Sequence, residues 1–219
     1  MKDMTLIEQY MVCAADEKGR ISSFNRERQV CLVAAGLLQM QMEGILEIGE
    51  KAVTVTGALP EGMTHLASLY RFLDQGSPVK MERILSEYNF SLNDKRLCEL
   101  MEDVGGSLVK MGLAREAKTG FFGDRKGFIP EREAIHGVID MVHAELLEDG
   151  EITEDVAALV VLLERGKCLK TYFSEFERRE MQEKIDRISD TPKGRMVRKM
   201  VETIDDMMGA FVTSLMLLS

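Results

Sequence analysis

The chain has 219 residues, of which 45% are apolar and 30% charged, and 28 basic against 37 acidic residues leave a net charge of −9. That length and apolar content suffice for one large domain with a real core, and they exclude a disordered chain or a fibre. The acidic balance, at a sequence pI near 5.0, removes the electrostatic footprint of a protein that holds nucleic acid through many phosphates, so no nucleic-acid partner is expected.

In chain order, TLIEQYMVCAA repeats apolar residues at helical spacing behind Thr5 and predicts a helix over Thr5 to Ala15. A DEKGR turn follows, and Ser22 or Ser23 is placed to cap a long second helix reaching Gly44. ILEIGEKAVTVTG alternates β-branched residues about Gly49-Glu50-Lys51 and predicts a hairpin. Further helices are predicted over Met63 to Phe72, Lys80 to Tyr88 and Asn93 to Met111, the last containing Gly105 and Gly106, which mark close packing or weaken the helix. LAREAKTGFFGDRKGFIP then reads as a second hairpin with Phe121 and Phe122 at its tip. Glu131 to Leu147, Glu154 to Arg165, Leu169 to Ile188 and Lys193 to Leu218 predict four more helices. The fold class is mainly α: a single compact domain over residues 1–219, with about nine helices and two β-hairpins.

Chemistry is sparse. Cys13, Cys31, Cys98 and Cys168 form no CxxC pair and read as reduced, mostly buried thiols of a cytoplasmic protein. No secretory signal or spanning helix is predicted, because the apolar run from Met207 to Leu218 is too short and is interrupted by Gly209, Thr213 and Ser214. His136, Asp140 and His143 share one helical face, but Ile135, Val138, Ile139, Val142 and Leu146 form an apolar stripe opposite. The histidines are therefore read as solvated, with no metal site and no catalytic residues. No nucleophile elbow or phosphate-cradling glycine loop is present, so no cofactor is implied.

Charge is uneven. Nine acids against Arg132 alone occupy Glu131 to Asp155, whereas Glu164 to Met200 carries eleven basic and seven acidic residues. The second stretch reads first as an ordinary solvated face, with a basic face toward an anionic surface as the alternative. The aromatic hairpin tip, with Arg115, Lys118, Arg125 and Lys126 on its arms, reads as a contact for an anionic membrane surface or for another copy of the chain.

The order TLIEQYMVCAADEKGRISSFN, LVAAGLLQMQMEGILEI, ALPEGMTHLASLYRFL and ELMEDVGGSLVKMGLA running into the aromatic hairpin, with CLKTYFSEF beyond it, resembles the Golgi phosphoprotein 3 family. The resemblance implies a mostly helical, non-enzymatic peripheral membrane protein that recognises phosphatidylinositol 4-phosphate beside a membrane-facing hairpin. It places Phe24 where the family has a tryptophan, and Val33, Cys98 and Met101 where the family has pocket arginines. None of these three donates to a phosphate as a guanidinium does. Arg26, Arg28, Lys95 and Arg96 are the nearby substitutes, which with Phe24 make the expected lipid site. Only Met1 to Met4 precede the first motif, so the basic N-terminal tail that engages coat proteins in eukaryotic members is not expected. The competing reading is a soluble interaction or regulatory module, with helix, helix and hairpin serving as a winged helix.

Overall fold

The computed structural model describes residues 4–21, 25–89, 94–119, 125–146, 152–191 and 194–217. Nine α-helices and five strands occur among these residues: α1 Leu6–Ala14, α2 Arg26–Met42, β1 Leu46–Ile48, β2 Ala52–Val55, α3 Ala67–Leu73, β3 Val79–Lys80, α4 Met81–Asn89, α5 Lys95–Met111, β4 Ala114–Thr119, β5 Arg125–Pro130, α6 Arg132–Leu146, α7 Glu154–Arg165, α8 Glu175–Ser189 and α9 Arg195–Leu217.

Three helices form the centre because they are apolar on every side. In α2 the residues from Gln29 to Met40 are all buried, and in α7 so are those from Val156 to Leu163. α1 buries every residue except Gln9. A helix that is apolar all round needs neighbours all round, and α1, α2 and α7 pack on one another, with α9 closing over α2 and α7. α8 is the opposite case: only Met181 and Ile185 are buried, and the rest of the helix is solvated.

β1 and β2 pair antiparallel, Leu46 opposite Val55, as the alternation in sequence predicts. A third strand was not legible: Val79–Lys80 adds to β2, with Val53 opposite Val79. Two residues are too few to carry a periodic signal. β4 and β5 form the second hairpin, from Ala114 opposite Pro130 to Thr119 opposite Arg125. The hairpin rests on α5 through Phe128, whose ring lies where a Cβ on Gly105 would be. Close approach is thus the role of Gly105, whereas Gly106 faces open space. On the other side Gly19, at φ +70°, brings the Asp16 to Arg20 turn against the strand, and Phe128 N donates to Gly19 O at 2.8 Å.

Three predicted boundaries are corrected. α2 begins at Arg26 after Asn25, not at a serine cap; Ser22 and Ser23 lie outside the described residues. The Met63 to Phe72 helix is a 3₁₀ turn over Glu61–Leu66 followed by α3. The Leu169 to Ile188 helix is interrupted: a 3₁₀ turn over Leu169–Thr171 ends before Ser174, which caps α8 through Glu177. Capping stops the chain from running straight through.

Among the described residues, a buried polar cluster in the centre is joined by hydrogen bonds. Glu8 Oε2 accepts from Thr5 N at 2.9 Å and Thr5 Oγ1 at 2.8 Å. Gln39 Oε1 accepts from Ile7 N at 3.3 Å, and Gln39 Nε2 donates to His65 Nε2 at 3.1 Å. The amide thereby fixes the imidazole as the acceptor at that nitrogen. Burial holds the His65 pKa below its ordinary value, while Glu8 and Asp103 pull it the other way.

Candidate functional site

The expected lipid residues fall around the start of α2, the end of α4 and the start of α5. Phe24, Phe121 and Phe122 lie outside the described residues. Arg26 stands in the first turn of α2 and donates from Nη1 to the Asn89 carbonyl, the last residue of α4, at 3.2 Å. Five residues after Asn89, Asp94 precedes α5, whose first turn carries Lys95 and Arg96. α2 packs on α4, and α4 on α5, so the three ends meet at one pole.

The four cations are not equivalent. Arg28, like Arg26, donates from Nη1 to a backbone carbonyl, that of Ala14 at 3.0 Å, and its own carbonyl accepts from Tyr10 OH at 3.1 Å. It closes the end of α1 onto α2. Arg96 is held by Glu87 at 2.9 Å and lies 4.6 Å over the Phe72 ring. Lys95 reaches Glu99 at 3.9 Å, with both side chains largely exposed. A pair of that length at the surface contributes about 1 kcal/mol or less and exchanges readily for an anion. Arg26 and Lys95 thus stand in the first turns of the two 17-residue helices α2 and α5.

What sequence reasoning missed is Asn89. It is 3% exposed, and neither its side-chain nitrogen nor its side-chain oxygen has a hydrogen-bond partner. Leaving such an amide unpaired costs about 1–3 kcal/mol. The signal was available: Asn89 lies four residues after the buried Leu85, so a polar residue occupies a position of the apolar stripe of α4.

The helix starts reinforce this. Neither Asn25 nor Asp94 makes a side-chain capping bond, and both open helices of 17 residues. Uncapped first-turn N–H groups and the positive end of the helix dipole favour an anion. No acid stands in the first turn of α5; in α2 Glu27 does, but Lys167 Nζ sits 2.6 Å from its Oε1 and lowers its pKa.

The family positions behave differently from their expected role. Val33 is fully buried and Met101 nearly so, both in the continuous core. The third of these positions, Cys98, is half-buried. The hairpin arms are described but its tip is not: Lys126 pairs with Glu116 at 3.5 Å, and Arg115 lies 4.0 Å from Glu131. Arg125 is the first residue of β5, paired with Thr119.

In the basic stretch from Glu164 to Met200 several of the arginines are held in ion pairs. Arg165 binds Asp205 bidentately at 2.6 and 3.1 Å, Arg178 meets Glu164 at 3.3 Å, and Arg198 lies 3.5 Å from Asp190. His136, Asp140 and His143 are exposed on α6, as the apolar stripe implies. None of the four cysteines is in a disulfide, and Cys13, Cys31 and Cys168 are buried and Cys98 half-buried. Burial pushes the Cys13 and Cys31 thiols far up, so they are unreactive near neutral pH.

Among the described residues no helix is long and apolar enough to cross a membrane. A search of curated proteins gives no match. The sequence model of the Golgi phosphoprotein 3 (GPP34) family matches residues 6–204, which takes in every helix from α1 to α8 and the first part of α9. The chain belongs to the Golgi phosphoprotein 3 family.

Proposed function

We propose that this protein is a non-enzymatic peripheral membrane or adaptor protein that receives an anionic lipid headgroup at the pole where α2 and α5 begin. The observation that carries this reading is the buried Asn89 amide, left without a partner beside Arg26 and two uncapped helix starts. A phosphate brings acceptor oxygens for the amide N–H, the guanidinium and the first-turn N–H groups together. Phosphatidylinositol 4-phosphate is the ligand the family resemblance suggests, and Phe24 and the Phe121-Phe122 tip are the accompanying apolar contacts. Cytoplasmic membrane surfaces are where such a headgroup is met.

The winged-helix reading has less support, because a recognition helix must offer a face to the groove and α2 is buried on all sides from Gln29 to Met40.

Co-sedimentation of the full chain with vesicles of phosphatidylcholine alone, with phosphatidylserine, or with phosphatidylinositol 4-phosphate tests the proposal at low and physiological salt. Binding to the phosphoinositide vesicles that survives physiological salt and falls with Arg26→Gln is the predicted result. Binding to none of the three would overturn it.

A further inference from the structure

Among the described residues, two other than glycine hold a left-handed backbone, Asp94 at φ 49° and Lys167 at φ 58°. Asp94 precedes α5, and aspartate tolerates that conformation. Lysine does so at a cost. Lys167 follows α7 at the position where a helix usually ends on glycine: its N–H donates to the Glu164 carbonyl at 2.9 Å, and the Cys168 N–H to the Leu163 carbonyl at 2.8 Å. The chain has a glycine here, but one residue early. Gly166 serves a close contact, since a Cβ there would collide with the Tyr10 hydroxyl oxygen.

The far end of the strained lysine shows what it does. Lys167 Nζ lies 2.6 Å from Glu27 Oε1, joining the end of α7 to the first turn of α2. With the lysine side chain 65% exposed and the glutamate's 30%, such a pair contributes little to stability. Its effect is on the local field. Glu27 follows Arg26, which reaches the Asn89 carbonyl at 3.2 Å, and the buried Asn89 amide has no side-chain partner. Left alone, a carboxylate in the first turn of α2 repels an anion there and occupies the favourable field of the helix start. The Lys167 ammonium offsets that charge. The first turn of α5 holds no acid, so no counterpart is needed on that side.

We infer that Lys167 is a positioning residue of the anion site: by neutralising Glu27 it keeps the first turn of α2 open to a phosphate, and its left-handed backbone is retained for that purpose. This rests on the headgroup reading above and adds the group that sets the field on the α2 side of the pole. Lys167 acts through Glu27 and does not itself touch the phosphate.

The test uses the full chain and phosphatidylcholine vesicles with and without phosphatidylinositol 4-phosphate. Lys167→Gly should bind the phosphoinositide vesicles about fivefold more weakly at low salt. Its urea midpoint should be kept or raised, because glycine adopts the left-handed turn without strain. Adding Glu27→Gln to that variant should restore the affinity of the unaltered chain. Lys80→Gln removes the same charge at the start of α4, the end away from Asn89, and should change binding by less than about twofold. Unweakened binding by Lys167→Gly would overturn the inference and leave the headgroup site standing. So would a double variant that stays weak, which would make Lys167 a direct ligand, or an equal loss in Lys80→Gln, which would reduce the effect to overall charge. A lowered urea midpoint in Lys167→Gly would assign the strained lysine to the fold and overturn it as well. Binding to neither vesicle by the unaltered chain would remove the headgroup site, and this inference with it.

Discussion

Two buried polar places in this protein, the cluster around Gln39 and the lone Asn89, are treated in opposite ways. At the centre, Gln39, His65, Thr5 and Glu8 exchange hydrogen bonds until the Gln39 amide and the imidazole nitrogen it faces are both engaged. At the pole, Asn89 is as deeply buried and has no side-chain partner. A saturated cluster fixes one arrangement of the elements it joins, here α1, α2 and the turn before α3. An unsatisfied one is a cost kept in the fold, and costs of that kind collect where a ligand completes the set.

The contrast can be broken at either end. Gln39→Leu should be the most damaging change, destabilising by about 2–3 kcal/mol in urea unfolding, because it strands Ile7 N and the His65 nitrogen together. Asn89→Leu, equally buried, should be neutral or stabilise by about 1 kcal/mol, since it removes an amide that bonds to nothing. Equal losses in the two variants would erase the distinction. His65 sharpens the comparison through pH. Its folded pKa is held below the ordinary value near 6.5, so as pH falls below that value the unfolded chain takes up the proton first and stability falls. His65→Gln should flatten this slope in urea titrations between about pH 7 and 5. Smallest of all, Lys95→Ala should change stability by less than about 0.5 kcal/mol, yet weaken binding to anionic vesicles.

Much of the fold was legible because its elements are long and strongly periodic. α7 was read to its end residues, and α1, α5 and both hairpins to within two or three. What failed was decided by non-local contacts or single bonds. The break before α8 depends on the Ser174 and Glu177 capping pair, and β3 exists only because β2 offers an edge. Arg26 and Lys95 were singled out in the sequence by their charge and position, and they stand in the first turns of α2 and α5. That Arg26 donates to the Asn89 carbonyl and Arg28 to that of Ala14 depends on where α4 and α1 end in space, which no spacing encodes. Asn89 was legible only as an exception to the stripe of α4.

The central claim is that the unpaired amide of Asn89 belongs to an anion site. Its most direct test is Asn89→Leu, followed for unfolding stability and for binding to vesicles containing phosphatidylinositol 4-phosphate. The account predicts opposite signs: stability kept or raised, and vesicle binding weakened by about tenfold, the equivalent of one lost charge-assisted hydrogen bond. Vesicle binding unchanged in a variant of undiminished stability would contradict it.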